Sequence, residues 1–472
     1  MTIVPLKFFS TNQPGILVRA DGAQMAMGDS KTCQTKRRIV FTTFGSLGDL
    51  YPYIALAREM QERGHEVIIA TSRHYRQKIE SRGIGFHAIR PDGPDIDADS
   101  DMMRRIMDRR KGGEYIIREL LMPVLAESYE DLLTAAEGAD LLVSHVLTFT
   151  ARLVAESKGL PWASTFLQPL GFFSACDPPV LPQLPFLSKL RFLGAPFHRA
   201  LFGVAEWSCR SWSEPWHDLR ARVGLPPTSE NPLFEGQHSP RLVLALFSEQ
   251  FARKQPDWPA QTIVSGFPFP DEREAAKISP DLDRFLKAGT APVVFTLGSS
   301  GVVDAGWFFE QSAAAVKLLG RRAVLIGKGA CQGPAPLPDG VVAFDYAPFS
   351  DLFPRAAAIV HAGGVGTTAL AMRAGRPMLV MPCAHDHFDS AARVSRLAIA
   401  RTISRRQYNP THVAAELRHL LNTSRYSQRA SRIGQQVQQE NGVHAACNAL
   451  EELLPPQPSP SAPALPTMCP PA

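Results

Sequence analysis

Three kinds of feature are missing from this 472-residue sequence. No stretch approaches the roughly 18 uninterrupted apolar residues of a membrane-spanning helix, so we expect no such helix. The seven cysteines are scattered, odd in number and free of any Cys-x-x-Cys pair, which argues against a disulfide framework and a zinc site and predicts reduced thiols in a cytoplasmic protein. No basic run carries interleaved aromatics and the net charge is only +5, so no nucleic-acid partner is expected.

The remaining composition is that of a globular protein with two extensions. Apolar residues make up 45% and charged residues 20%, and the length suits two domains of roughly 200 residues each. Residues 1–36 lack the apolar core of a signal peptide and predict a poorly ordered N-terminal extension. Residues 455–472 are rich in proline and predict a disordered tail.

Strand and helix patterns alternate twice along the chain. The first series runs over 37–254, beginning with a β-rich run at 38–44, and the second runs over 283–454, beginning with Pro292-Val-Val-Phe-Thr-Leu297. Between them, residues 255–282 are rich in proline and charge and indicate an interdomain linker. Alternation of this kind predicts two doubly wound α/β domains with parallel sheets, facing each other across a cleft. Such sheets bind ligands beyond the carboxyl ends of their strands.

A glycine-rich turn follows one strand of the second series. His361 ends this strand, and Gly363, Gly364 and Gly366 follow before a helix that we expect to begin near Gly366 or Thr367. Glycines allow a backbone to turn tightly and a phosphate to approach, and the free N–H groups of a new helix favour an anion. A plain strand–helix turn with a buried histidine is an equally good interpretation of this pattern taken alone. Neither a Walker P-loop nor a GxGxxG fingerprint is present.

A polar cluster, Pro382-Cys-Ala-His-Asp-His-Phe-Asp389, follows the next strand. At the carboxyl end of a strand beside the glycine turn, Asp386 and His387 would lie where a sugar attached to the bound phosphate would be. Capping of the following helix is the alternative for Asp386 and Asp389. The spacing of residues 385–387 does not suit a metal site, and we expect no metal.

These motifs resemble the donor-binding signature of family-1 glycosyltransferases of the GT-B fold. The resemblance covers about residues 38–445 and rests on Tyr346-Ala-Pro-Phe, His361-Ala-Gly-Gly-Val-Gly-Thr-Thr, Gly375-Arg-Pro and Pro382 through Asp386. It is strongest to the bacterial lipid and macrolide branch, and within that branch to the rhamnosyltransferase of rhamnolipid synthesis. Plant members carry tryptophan at the position of Tyr346 and glutamine at that of His387.

The resemblance implies a site for a nucleotide-diphosphate sugar as co-substrate, without a further cofactor. The diphosphate would be bound by His361, Gly363, Gly364, Gly366, Thr367 and Ser299, the base by Tyr346 and Ala347, and the sugar by Asp386 and His387.

Phe44-Gly-Ser-Leu-Gly-Asp-Leu-Tyr-Pro52, after the first strand, resembles the Gly-Ser-x-Gly-Asp-x-x-Pro motif of bacterial members. The resemblance implies that Asp49 is the catalytic base that removes the proton of the attacking acceptor hydroxyl. Capping of a helix that starts near Pro52 is the alternative. The histidine–acid pair of plant members has no obvious counterpart, because Ser144-His145 replaces the acidic position.

The acceptor is indicated mainly by composition. Aromatic residues are dense over 166–216, where they suit a helix core first and the apolar lining of an acceptor site second. Ser46, His145 and Phe172 are the candidate acceptor contacts. We therefore predict an inverting hexosyltransferase that uses a UDP- or dTDP-sugar and a hydrophobic small-molecule acceptor, in the cytoplasm or at the inner face of the membrane. A nucleotide-sugar epimerase and a non-catalytic sugar-nucleotide-binding protein are the alternatives, and the oligomeric state stays open.

Overall fold

A computed structural model describes residues 36–92, 100–269, 277–298, 305–331 and 336–454. The predicted disordered tail over 455–472 and all but the last residue of the predicted extension over 1–36 lie outside these ranges, as does Ser299.

The first half of the chain forms a parallel sheet of seven strands in the order β3-β2-β1-β4-β5-β6-β7. Its strands are β1 (Arg38–Thr42), β2 (Glu66–Thr71), β3 (Gly85–Ala88), β4 (Leu141–His145), β5 (Trp162–Phe166), β6 (Leu242–Ala245) and β7 (Thr262–Val264). The central strands are largely apolar and are buried on both faces, as is usual in parallel sheets. β7 lies within the range that the composition indicates as a linker, so part of that range belongs to this sheet.

The second half forms a parallel sheet of six strands in the order β10-β9-β8-β11-β12-β13. Its strands are β8 (Val293–Phe295), β9 (Ala323–Ile326), β10 (Val341–Phe344), β11 (Ala358–His361), β12 (Met378–Val380) and β13 (Ala400–Thr402). Two parallel α/β sheets confirm the predicted fold class. In each sheet the strand order reverses once, between β1 and β4 and between β8 and β11, and such switch points open crevices at the carboxyl ends of strands.

Helices connect the strands and cover both sheets. In the first half these are α1 (Leu47–Glu62), α2 (Arg76–Glu80), α3 (Ser100–Ile106), α4 (Gly112–Tyr115), a π-helical stretch (Ile116–Leu121), α5 (Leu125–Ala135), α6 (Thr150–Lys158), α7 (Gly194–Ser208) and α8 (Glu214–Arg222). In the second half they are α9 (Pro280–Lys287), α10 (Ala305–Leu319), α11 (Phe349–Leu352), α12 (Val365–Arg373), α13 (His387–Arg396), α14 (Pro410–Asn422), α15 (Ser424–Gln439) and α16 (Gly442–Glu451). Short 3₁₀ turns include Met122–Val124, Pro169–Phe172, Pro185–Leu193 and Arg210–Ser213. No helix in the described ranges combines the length and the apolar content needed to cross a bilayer.

The last helix, α16, packs on α1 of the first half. Cys447 and Leu450 are fully buried in the core beside α1. At the end of α1, Arg63 donates a hydrogen bond to Glu451 at 2.7 Å. The chain therefore crosses back to the first sheet after the second sheet is complete.

A second link joins the loop after β5 to α13. Asp389 accepts a hydrogen bond from the Val180 N–H at 3.0 Å and another from Arg393 Nε at 2.6 Å. Arg393 also pairs with Asp177, which in turn pairs with Arg191. Asp389 and Arg393 are each only 2% exposed, so this ion pair is buried between the two halves.

Candidate active site

A cavity of about 470 Å³ lies between the two halves. Its walls are built at the carboxyl ends of strands: Phe44 follows β1, His145 ends β4, Gly298 follows β8 and Gly364 follows β11. These four strands flank the switch points of the two sheets. The topology therefore brings the motif around Asp49 and the glycine turn into one compartment.

Asp49 lines the cavity from the first half of the chain and also caps the start of α1. Its Oδ2 accepts hydrogen bonds from the Ser46 N–H at 2.7 Å and from Ser46 Oγ at 3.0 Å, while Ser46 Oγ accepts from the Gly48 N–H, which makes a capping box. The helix begins at Leu47 and contains Pro52, so the expected start near Pro52 is wrong. Both interpretations of Asp49 suit the geometry, because capping engages one oxygen and leaves Oδ1 turned toward His145.

His145 faces this second oxygen. Its Nε2 lies 3.9 Å from Asp49 Oδ1, and its Nδ1 accepts a hydrogen bond from the Leu147 N–H at 3.4 Å. The proton of the neutral ring therefore lies on Nε2, toward the carboxylate. Burial lowers the pKa of His145 and the Asp49 charge offsets part of this effect. A histidine–acid pair is thus present with the two residue types exchanged, which the sequence motif did not reveal.

The glycine turn forms the opposite wall. Gly363 has a φ of +97°, and a Cβ on it would lie 2.9 Å from the His387 carbonyl oxygen. The turn can therefore pack against the start of α13 only without a side chain. α12 begins at Val365, one to two residues before the expected start, and Gly364, Gly366 and Thr367 line the cavity. The N-terminus of a helix, where amide groups have no helical partner, thus lies at the cavity wall.

His361 is fully buried behind this wall. Its Nδ1 accepts a hydrogen bond from the Gly363 N–H at 3.1 Å, so the ring proton lies on Nε2, for which no partner exists among the described residues. Burial lowers the pKa of His361 to about 3, so the ring is neutral at pH 7. Nε2–H is an unused donor just behind the glycine turn.

Asp386, His387 and His385 complete this wall. Burial, together with the nearby charge of Asp49, raises the pKa of Asp386 to about 7. The two carboxylates, one from each half, therefore lie within electrostatic reach of each other. Burial lowers the pKa of His387 to about 3. Neither aspartate caps α13 as the alternative interpretation expected. Asp386 precedes the helix without making a side-chain cap, and Asp389 accepts hydrogen bonds from the Val180 N–H and from Arg393.

His385 was missed as a site residue. Its backbone is left-handed, with a φ of 47°, which holds the ring in the cavity wall. Burial lowers the pKa of its ring and a hydrogen bond with the backbone of Ile106 offsets part of that, so the residue also contacts the first half. The sequence gives only its membership in a histidine-rich cluster, because a positive φ at a residue other than glycine has no sequence signal.

Several predicted residues lie away from the cavity wall. Phe172 belongs to the core, where it stacks on Trp258 with ring centroids 4.0 Å apart, and its neighbour Phe173 lines the cavity instead. Phe172 therefore does not line the cavity as expected of an acceptor contact, because the 3₁₀ turn places its ring in the core. Ala347 is buried, whereas Tyr346 is 69% exposed and within electrostatic reach of Tyr51 and Arg82 of the first half.

Ser46 lines the cavity as expected. Ser299 lies outside the described residues, directly after the lining residue Gly298. In the described ranges, no group of three or more histidine, cysteine, aspartate or glutamate side chains is placed to hold a metal ion.

Comparison with known proteins gives the family. Residues 39–169 match the glycosyltransferase family 28 N-terminal domain, and residues 315–453 match the erythromycin biosynthesis protein CIII-like C-terminal domain. O-mycaminosyltylonolide 6-deoxyallosyltransferase of Streptomyces fradiae is 33% identical over 432 residues, which cover 88% of this chain and 97% of that protein. The chain belongs to the family-1 glycosyltransferases of the GT-B fold. Its expected relationship to macrolide and sterol glycosyltransferases is confirmed.

Other relatives extend the comparison of this glycosyltransferase. Sterol 3-beta-glucosyltransferase of Yarrowia lipolytica is 26% identical over 472 residues, which cover 93% of this chain and 30% of that protein, so the chain spans under a third of that relative. The calicheamicin glycosyltransferase CalG4 superimposes with a TM-score of 0.66 at 20% identity, covering 89% of this chain and 98% of CalG4. Glycosyltransferase VinC, solved in complex with dTDP, gives 0.63 at 21% identity, covering 88% and 99%. These structural matches support the fold.

Proposed function

We propose that this glycosyltransferase moves a hexose or deoxyhexose from a UDP- or dTDP-sugar onto a hydroxyl of a hydrophobic small molecule, with inversion at the anomeric carbon. One observation carries the proposal: Asp49 of the first half and Asp386 of the second half face the same cavity, beside the N-terminus of α12. A base, a sugar-binding carboxylate and a phosphate-binding turn are the three groups that such a transfer needs.

The chemical step follows from these positions. Asp49 Oδ1 removes the proton of the acceptor hydroxyl as its oxygen attacks the anomeric carbon. The new glycosidic C–O bond forms on the face opposite the breaking bond to phosphate, which inverts the configuration. The Ser46 hydrogen bonds hold Asp49 in position, and His145 Nε2–H, 3.9 Å from Asp49 Oδ1, stabilises its charge.

The leaving nucleoside diphosphate carries away the electron pair and its negative charge. The N–H groups at the start of α12 and the Thr367 hydroxyl stabilise that charge. His361 Nε2–H supports the phosphate from behind the turn. Asp386 and His387 bind hydroxyls of the sugar, Ser299 contributes a further phosphate contact, and Tyr346 with Ala347 receives the base.

The acceptor occupies the part of the cavity that is lined by the first half of the chain, which we call the acceptor half of the cavity. Its apolar lining includes Phe44, Met103, Ile106, Ile116, Leu120 and Phe173. Such a lining excludes water and favours a lipid, sterol or polyketide over a free sugar. The S. fradiae relative is named for a deoxyallosyl transfer, which supports a deoxyhexose donor here.

We further propose that the enzyme works in the cytoplasm and needs no metal. Among the described cysteines, Cys176, Cys209, Cys331 and Cys447 form no disulfide, which suits a reducing compartment. The helix N-terminus and the histidine donors offer charge compensation for the diphosphate without a cation.

The variant Asp49→Asn tests the proposal. It removes the proton acceptor but keeps an oxygen that can accept the Ser46 hydrogen bonds. We expect sugar transfer to fall by about 10²–10⁴-fold, the usual contribution of a general base. The measurement is transfer from UDP-glucose and dTDP-rhamnose to a panel of hydroxylated lipids, sterols and polyketides. Affinity for dTDP and UDP, followed as a thermal shift, should stay close to that of the wild type.

Ser279→Ala provides the matched control. The Ser279 side chain caps α9 by accepting a hydrogen bond from the Leu282 N–H, and it does not line the cavity. Its loss should cost about 1 kcal/mol of stability and leave transfer unchanged. Unchanged transfer by Asp49→Asn would remove Asp49 from the mechanism. Release of an altered sugar nucleotide without acceptor would support an epimerase, and nucleotide binding without any reaction would support a non-catalytic protein.

A further inference from the structure

The exposed apolar side chains of the described residues are concentrated in one segment, which we call the apolar ridge. Ten large hydrophobic side chains are exposed in the described ranges, and seven of them lie between residues 184 and 207: Leu184, Phe186, Phe192, Leu193, Phe197, Val204 and Trp207. Phe192 is 79% exposed and Trp207 is 76% exposed. Single exposed apolar residues are ordinary, but a dense group of this kind marks a surface that meets an apolar partner.

A basic segment lies beside the apolar ridge. Arg109 Nε donates a hydrogen bond to the Pro182 carbonyl at 2.7 Å, and Gln183 donates one to the Arg110 carbonyl at 3.5 Å. Arg110 and Lys111 are therefore next to the start of the ridge, and both are exposed.

The charges around the ridge are mixed but mainly positive. Lys189 and Arg199, within the ridge, are exposed. The acidic groups nearby are Asp108, which accepts the Arg110 and Lys111 N–H groups, and Glu114, which is within electrostatic reach of Cys209 just beyond the ridge. They also include Glu206 with Glu235 near it, and Asp177, which is paired with Arg191 and Arg393. Positive charge beside exposed aromatic rings suits a negatively charged apolar interface.

Both segments continue directly into the cavity wall. Met107, Asp108 and Arg109 line the cavity just before Arg110, and residues 181–183 line it just before Leu184. The apolar ridge therefore borders the acceptor half of the cavity. A partner bound to the ridge would lie at the place where a lipophilic acceptor enters.

We propose that the apolar ridge docks on the surface of an anionic phospholipid bilayer, and that the acceptor enters the cavity from that bilayer. The statement about the acceptor rests on the proposed function, whereas docking itself does not. Phe192 and Trp207 insert between the lipids, and Arg110, Lys111 and Lys189 face the phosphate headgroups.

Vesicle flotation of the full chain without donor tests docking. Vesicles of phosphatidylcholine mixed with phosphatidylglycerol should bind the wild type, and vesicles of phosphatidylcholine alone should bind it more weakly. The double variant Phe192→Ser/Trp207→Ser should bind the mixed vesicles at least about tenfold more weakly than the wild type does, because two aromatic anchors are lost. Arg110→Glu/Lys111→Glu should weaken binding to mixed vesicles only, and added salt should do the same.

Leu318→Ser is the matched control. Leu318 is 57% exposed on α10 of the second half, so Leu318→Ser removes an exposed apolar side chain away from the ridge, and the vesicle binding of this variant should equal that of the wild type. Equal binding by the aromatic double variant would overturn the proposal. A dimer in sedimentation equilibrium that this variant abolishes, without vesicle binding by the wild type, would also overturn it by showing a second copy on the ridge. Because flotation needs no sugar transfer, its outcome is independent of the Asp49 test.

Discussion

Gly363 sits in a backbone conformation that residues with side chains rarely adopt, and it lies against the start of α13. The contact leaves no room for a Cβ, which would lie 2.9 Å from the His387 carbonyl oxygen and 3.1 Å from a Val380 methyl group. One atom added here would strain the backbone and displace His387 together. The glycine is therefore required by the packing of the turn, apart from any role of its N–H.

Gly363→Ala should accordingly lower the free energy of unfolding by about 1–3 kcal/mol, the usual range for a strained backbone. Gly366→Ala is the matched control, because a Cβ there meets nothing within 4 Å and the backbone is not left-handed. Its stability should stay within about 0.5 kcal/mol of the wild type. Denaturant melts of both variants provide the measurement, and equal stability of the two would contradict the packing argument.

The Asp386 carboxyl gives a pH prediction. Its pKa is raised from 3.8 to about 7 by burial and by Asp49, so the folded protein holds this proton more tightly than the unfolded chain does. The resulting stability is fully present below the unfolded pKa and is lost as the pH rises through about 7. Asp386→Asn cannot ionise, so its melting temperature relative to the wild type should rise between about pH 5 and about pH 8.

The same variant should lose sugar transfer while it gains this relative stability, because Asn cannot offer a charged acceptor to the sugar hydroxyls. Asp386 would then be a residue that serves activity at a cost in folding stability. In parallel melts, the difference between Asp283→Asn and the wild type should stay constant over this pH range, because Lys287 and Arg355 lower the pKa of the Asp283 carboxyl, which is therefore ionised in both the folded and the unfolded state. A pH-independent difference for Asp386→Asn would show that its carboxyl titrates normally.

At the scale of elements, the loop after β5 is fixed to α13 by a buried ion pair. Arg393 joins Asp389 on its own helix to Asp177 on the loop, and residues 181–183 of that loop line the acceptor half of the cavity. α13, which begins at the proposed sugar-binding residue His387, thus also sets the position of a loop that lines the proposed acceptor region of the cavity.

Arg393→Met should cost about 3 kcal/mol of stability, because it leaves the buried carboxylate of Asp389 without its cationic partner and removes one of the cations paired with Asp177. It should also raise the KM for acceptor more than it lowers kcat, since the loop shapes that wall. Arg401→Met breaks a more exposed pair with Glu416, with side chains 32% and 28% exposed, and should cost about 1 kcal/mol or less. Denaturant melts and acceptor titrations distinguish the two, and a similar loss in both variants would contradict the buried link.

Strands with continuous apolar runs could be predicted, and short or polar ones could not. β1, β8 and β11 lie where the patterns at 38–44, at 292–297 and before the glycine turn predict strands, because largely apolar runs suit strands buried on both faces. β13 (Ala400–Thr402) and β7 (Thr262–Val264) are edge strands of three residues, stabilised by pairing with a neighbour rather than by their own pattern. The π-helical stretch at Ile116–Leu121 likewise depends on its surroundings.

At the scale of the whole molecule, the two-sheet plan and the location of the site were predictable because the motifs follow strands. Asp49, the glycine turn and Asp386 all lie at carboxyl ends, which parallel sheets bring to one edge. The partnership of Asp49 with His145 was not predictable, since it depends on β1 and β4 being neighbours. Which of Phe172 and Phe173 lines the cavity was not predictable for a similar reason, because the 3₁₀ turn decides which of the two rings points into the core.

The return of α16 to α1 has a consequence for synthesis of the protein. Translation delivers residues 442–451 only after both sheets have been made, yet Cys447 and Leu450 fill the core beneath the helix that carries Asp49. The first half of the chain to leave the ribosome is thus the last to be completed, and a nascent chain that stops before α16 leaves the core beneath α1 and Asp49 exposed.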